Sequence, residues 1–125
     1  MRIKFSAALA LLICLPVWTA PLSAHHSHGN YSLQEYIRFE AEVREVLWLN
    51  PHVWVQVDVT DENGEVATWA LEGGSIAALT RRGWAQDDLQ PGDLIQVRCH
   101  QLRDGSNGCL LGYVTPPGGE EKEFD

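Results

Sequence analysis

Basic side chains are scarce in this chain: 9 Lys+Arg stand against 17 Asp+Glu in 125 residues, a formal charge of -8. Nucleic-acid affinity depends on clustered Lys and Arg that displace phosphate counterions, so this balance argues against a DNA or RNA partner. Anionic lipid surfaces should repel the chain for the same reason. Cysteine is also scarce, with 3 in the sequence, which rules out a disulfide-dense miniprotein. No apolar run reaches the roughly 20 residues that a bilayer-spanning helix needs. The sequence contains no GxSxG, no HExxH, no P-loop and no GxGxxG after a strand, so the expectation is a protein that is not an enzyme. What is present, 45% hydrophobic and 21% charged residues, is ordinary for one folded domain.

The charge is unevenly placed. Residues 1–24 carry Arg2 and Lys4 and no acidic group, so removing them takes the formal charge from -8 to -10. A basic start, the apolar stretch from Phe5 to Val17 and the small-residue segment ending at Ala24 have the order of a secretory signal peptide. Cleavage after Ala24 makes His25 the mature N-terminus, removes Cys14 and leaves no membrane anchor. The expected location is periplasmic or secreted. Cys99 and Cys109 then bracket a turn containing Asp104-Gly105 and Asn107-Gly108 between two strand-like runs. If the strands pair symmetrically about that turn, the cysteines face each other, and an oxidising compartment makes a disulfide the default. A thiolate metal pair is the rival, but the spacing lacks the close CxxC grip of zinc sites.

Residues 25–36 (HHSHGNYSLQEY) show no hydrophobic period and read as a flexible, His-rich N-terminal arm. From Arg38 to Leu47 apolar and polar residues alternate, as in a half-buried strand, until Asn50-Pro51 interrupts. Val53, Val55, Val57 and Val59 mark a second strand, Asp61 to Gly64 a hairpin turn, and Glu65 to Leu71 a third strand. Ser75 can cap a short helix with Ile76 and Leu79 on one face, stopped by Gly83. Pro91-Gly92-Asp93 turns into a fourth strand, Leu94 to about Gln101, and Cys109 to Thr115 is a fifth. Three strands, a helix and two strands is the element order of a five-stranded OB-like Greek-key barrel, an all-β fold with one short helix. The barrel domain is expected over residues 37–116, with residues 117–125 as an acidic disordered tail.

Two clusters are candidates for chemistry. His25, His26 and His28 lie close together in the arm. If His25 is the processed terminus, its α-amine and ring nitrogen can chelate one ion while a second imidazole, His52 or His100, completes a T-shaped site. Such a histidine brace suits Cu(II), which favours tetragonal nitrogen coordination. The plainer reading is that His-rich ends bind transition metals weakly whether or not biology uses them. The other cluster is Trp48-Leu49-Asn50-Pro51-His52, in the connection between strands one and two that borders the usual OB binding face. There Trp48, Asn50 and His52 either contact a ligand or simply make the turn and cap the barrel. Glu72, at a strand end, either orients His52 or is solvated beside the helix cap.

The segments Ala24-His25-His26-Ser27, Trp48-Leu49-Asn50-Pro51-His52, Trp69-Ala70-Leu71-Glu72, Leu79 to Trp84 and Pro91-Gly92-Asp93 together resemble a family of small exported bacterial proteins of unknown function. The resemblance spans nearly all the exported part. It implies export and a compact β-rich domain, and it brings no established activity. The expectation is therefore a small exported binding protein that holds copper, or else zinc, through His25, His26, His28 and His52. The alternative is an interaction module that recognises an envelope protein or other envelope component through the loop between strands one and two.

Overall fold

The computed structural model describes residues 28–125. The signal-peptide expectation, His25 and His26 lie outside the described residues. Six strands and one short helix follow in the order β1 (Ile37–Leu47), β2 (Trp54–Thr60), β3 (Val66–Glu72), α1 (Ile76–Arg81), β4 (Leu94–Gln101), β5 (Gly108–Thr115) and β6 (Lys122–Glu123). Strand order is β3-β2-β1-β4-β5-β6, and a parallel pairing of β3 with β5 closes the first five into a mixed barrel. That closure, with a helix between the third and fourth strands, is consistent with the OB-like expectation.

Alternation of side chains builds the barrel. Val53, Val55 and Val57 point inward and are fully buried, opposite Leu71 of β3, while Trp54 and Gln56 face out. In β1 the inward positions are Ala41 and Val43 as far as a bulge at Arg44, after which Val46 pairs with Val55. One extra residue bends a strand and reverses its parity. This lets β1 pair with β4 through its first half and with β2 through its second. Ile95, Val97 and Leu111 complete the interior with Leu79 of α1 and Trp84. Ser75 caps α1, its Oγ accepting from the Ala78 N–H at 3.1 Å. No helix among the described residues is long and apolar enough to cross a membrane.

Cys99 and Cys109 form a disulfide inside the core, their Cα atoms 5.7 Å apart. They are diagonal neighbours, not the facing pair expected from a symmetric turn. The turn is centred at Gly105, one residue past the midpoint of the two cysteines, so Cys99 opposes Leu111 and Cys109 opposes Gln101, and a bulge at Gly112 follows on the far side of the disulfide. A Cβ on Gly112 would lie 2.6 Å from the Tyr36 ring, so a side chain there would have to push that ring aside.

Two expectations about the chain ends need correction. The described part of the arm is not a flexible extension: Ser32 N–H donates to Gln101 O at 2.8 Å, Arg103 N–H to Asn30 O at 2.9 Å, and Tyr31 is buried. The acidic tail is not disordered at its end. Residues 122–123 pair with β5, and Phe124 is 1% exposed, edge-on to Trp84 with ring centroids 4.8 Å apart. In each case a buried aromatic in a polar stretch, Tyr31 or Phe124, fills a site on the barrel, and burying a side chain of that size outweighs the polarity around it.

Candidate functional site

The β1–β2 connection is held at both ends. Trp48 packs half-buried against the core, and Asn50, whose peptide bond to Pro51 is cis, accepts from the Ile76 N–H at 3.3 Å through its side-chain oxygen. Asn50 therefore ties the loop to the start of α1. Val53 N–H donates to Gly74 O at 2.9 Å and Gly73 N–H to Val53 O at 2.8 Å, so the residue after His52 is locked to the glycine pair that ends β3.

His52 projects from this frame. Its Nδ1 lies 3.1 Å from Gly73 O. A carbonyl oxygen only accepts, so Nδ1 carries the proton and the Nε2 lone pair is left for a ligand. Glu72 Oε1 lies 3.6 Å from the same Nδ1, too long for a hydrogen bond but close enough to favour the N–H there. The other carboxylate oxygen, Oε2, accepts a 2.5 Å hydrogen bond from the Tyr31 hydroxyl. Burial first, then that hydrogen bond and the Glu72 charge, raise the Tyr31 phenol well above its ordinary pKa, which keeps it a neutral donor.

The sheet register explains how an arm residue reaches Glu72. Trp54, Glu72, Leu110 and His100 occupy one row across β2, β3, β5 and β4, all on the outer face. The arm crosses this row, with Tyr31 bonded to Glu72 at one side and Tyr36 stacked on His100 at the other, ring centroids 4.0 Å apart. Leu110, between them, is 3% exposed although it points outward. His100 Nδ1 donates to Glu35 O at 2.6 Å, which holds its ring against the arm. Two strand spacings, about 10 Å, separate it from Glu72, so the structure groups Glu72 with His52 and not with His100.

The proposed site residues thus divide. His52 and Glu72 are adjacent, Trp48 and Asn50 support the loop between them and the core, and His28 is exposed in a single 3-10 turn, Tyr31 following three residues later. Among the described residues no group of three or more His, Cys, Asp or Glu is placed to hold a metal ion. The barrel orients two imidazoles through Nδ1, His52 on Gly73 O and His100 on Glu35 O, on separate parts of its surface, so further ligands for a metal at His52 must come from another part of the chain or from solvent. Tyr31 and Gly73 were not foreseen as site residues. Tyr31 had one signal, an aromatic isolated among polar residues, whereas Gly73 acts through its backbone carbonyl, which no sequence pattern marks.

Residues 12–111 match the model of a family of unknown function, DUF6152. No curated protein and no solved structure matches the chain.

Proposed function

We propose, for a chain that belongs to the DUF6152 family of unknown function, that it is an exported, non-enzymatic binding protein in which His52 and the arm histidines together coordinate a transition-metal ion, copper before zinc. The observation that carries this reading is the Tyr31–Glu72–His52 junction. It docks the arm beside an imidazole whose Nδ1 is committed to a carbonyl and whose Nε2 is not. Metal-binding histidines commonly have their second nitrogen held in this way by a carbonyl or carboxylate. His25 lies three residues before the 3-10 turn His28–Asn30 that leads into Tyr31, a reach of about 10 Å beyond that turn, so a chelating terminus stays near the junction at His52. Support for export comes from the leader-like residues 1–24 and from a core disulfide, which persists in oxidising compartments.

The test is Cu(II) titration of protein beginning at His25, against the same protein with one extra Ala before His25 and against His52→Ala. Both changes should weaken binding sharply, and binding should fall as the pH drops below about 6 because imidazole ligands must be neutral. Unchanged affinity in both variants would end the metal reading. A second reading, an envelope interaction module, draws on Leu49, 45% exposed in the same loop. Envelope cross-linking that is lost in Leu49→Ala and kept in His52→Ala would favour it.

A further inference from the structure

The C-terminal segment lies beyond the residues matched by the family model, yet it meets the backbone that orients His52. Gly74 N–H donates to Phe124 O at 2.9 Å, and Phe124 N–H donates to Gly112 O at 2.9 Å. The Phe124 ring lies so close to Gly73 that a Cβ there would be 2.7 Å from it, and a Cβ on Gly74 would be 2.8 Å from the carbonyl carbon of Asp125. The segment is fastened on its other side. Trp84 Nε1 donates to Glu123 O at 2.7 Å, Arg82 Nε to Glu123 Oε2 at 2.8 Å, and Lys122 lies 3.9 Å over the Trp84 ring while donating to Gly83 O. Gly73 and Gly74 are thus held between the β1–β2 loop and the C-terminal segment, and Gly73 O is the acceptor for His52.

We propose that residues 122–125 form a strap that positions His52: by fixing Gly73-Gly74, Phe124 sets the direction of the Gly73 carbonyl and through it the Nδ1–H tautomer of the imidazole. Phe124 is a positioning residue and touches no ligand. The inference rests on the reading of His52 as a ligand only for its effect on metal affinity, since the tautomer exists with or without a metal. A strap of this kind also explains the paired glycines, because any side chain there would displace either the ring or the C-terminus.

The experiment uses protein beginning at His25, with ¹⁵N-labelled histidine, in four forms: wild type, Phe124→Ala, Phe124→Leu, and Arg82→Ala combined with Lys122→Ala. The two ring-nitrogen shifts of His52 report its tautomer, and Cu(II) titration reports its use. Wild type and Phe124→Leu should show the Nδ1–H form, whereas Phe124→Ala should move toward the mixture of a free imidazole and bind Cu(II) about 10- to 100-fold more weakly. Should Phe124→Ala fail to fold, the Arg82→Ala, Lys122→Ala form loosens only exposed fastenings and should shift the His52 nitrogens in the same direction. If His52 keeps its wild-type nitrogen shifts in every folded variant, the strap proposal is overturned. Wild type that shows the expected tautomer shift on mutation but binds no Cu(II) overturns the metal reading and leaves the strap standing.

Discussion

Replacing Tyr31 by Phe keeps the ring that covers the β3–β5 face and removes only the hydroxyl donor to Glu72. The lost bond has a charged acceptor, a class worth about 1.5 to 3 kcal/mol. Water cannot easily replace it, because the Glu72 side chain is 15% exposed. For a domain of this size a loss of about 2 kcal/mol should lower Tm by roughly 8 to 16 °C. Urea unfolding followed by tryptophan fluorescence should show a lower midpoint with an unchanged slope. In a double-mutant cycle with Glu72→Gln the two changes should be strongly non-additive. The same substitution should alter the alkaline limb. The folded-state pKa of Tyr31 is raised, so its contribution is complete below the free tyrosine value of about 10 and is lost as the pH rises from there through the folded value. Tyr31→Phe should therefore lose less stability than wild type above pH ~10. A Tyr31→Phe protein within about 0.5 kcal/mol of wild type would refute the claim that this bond docks the arm.

Replacing Cys99 and Cys109 together by Ala should cost about 2 to 3 kcal/mol through the short loop they close, measured as a urea midpoint that reducing agent no longer lowers. At the other end of the pH scale, the hydrogen bond from Arg82 holds the Glu123 carboxyl below its ordinary pKa. Its contribution is present above the ordinary carboxylate range and lost as the pH falls through the depressed value, so Arg82→Ala should flatten part of the acid limb of a stability–pH curve.

The valine alternation of β2, the turn dipeptides and the Ser75 cap carry their structural meaning locally, which is why the first five strands, the helix and their order are legible in the sequence, whereas β6 is not. What could not be read depends on distant partners. The bulges at Arg44 and Gly112 appear only when two strands are laid side by side, and so does the one-residue offset of the β4–β5 turn that makes the cysteine pair diagonal instead of facing. Tyr31 and Phe124 lie in polar segments whose composition suggests disorder. Each is held by an aromatic fitting a place made by residues 40 or more positions away, Glu72 for the first and Trp84 with Gly73 for the second. His52 and Glu72 were recognisable as candidates from their loop and strand-end positions. The tautomer of His52 was not, since it is set by a backbone carbonyl.

The claim that the arm and the barrel share one metal ion is tested most directly by pulsed EPR of Cu(II) bound to protein beginning at His25, counting the coordinated imidazole nitrogens in wild type and in His52→Ala. The expected result is a single Cu(II) site whose imidazole count falls by one when His52 is removed. An identical spectrum from the two proteins would show that the arm binds copper without the barrel and would contradict the claim.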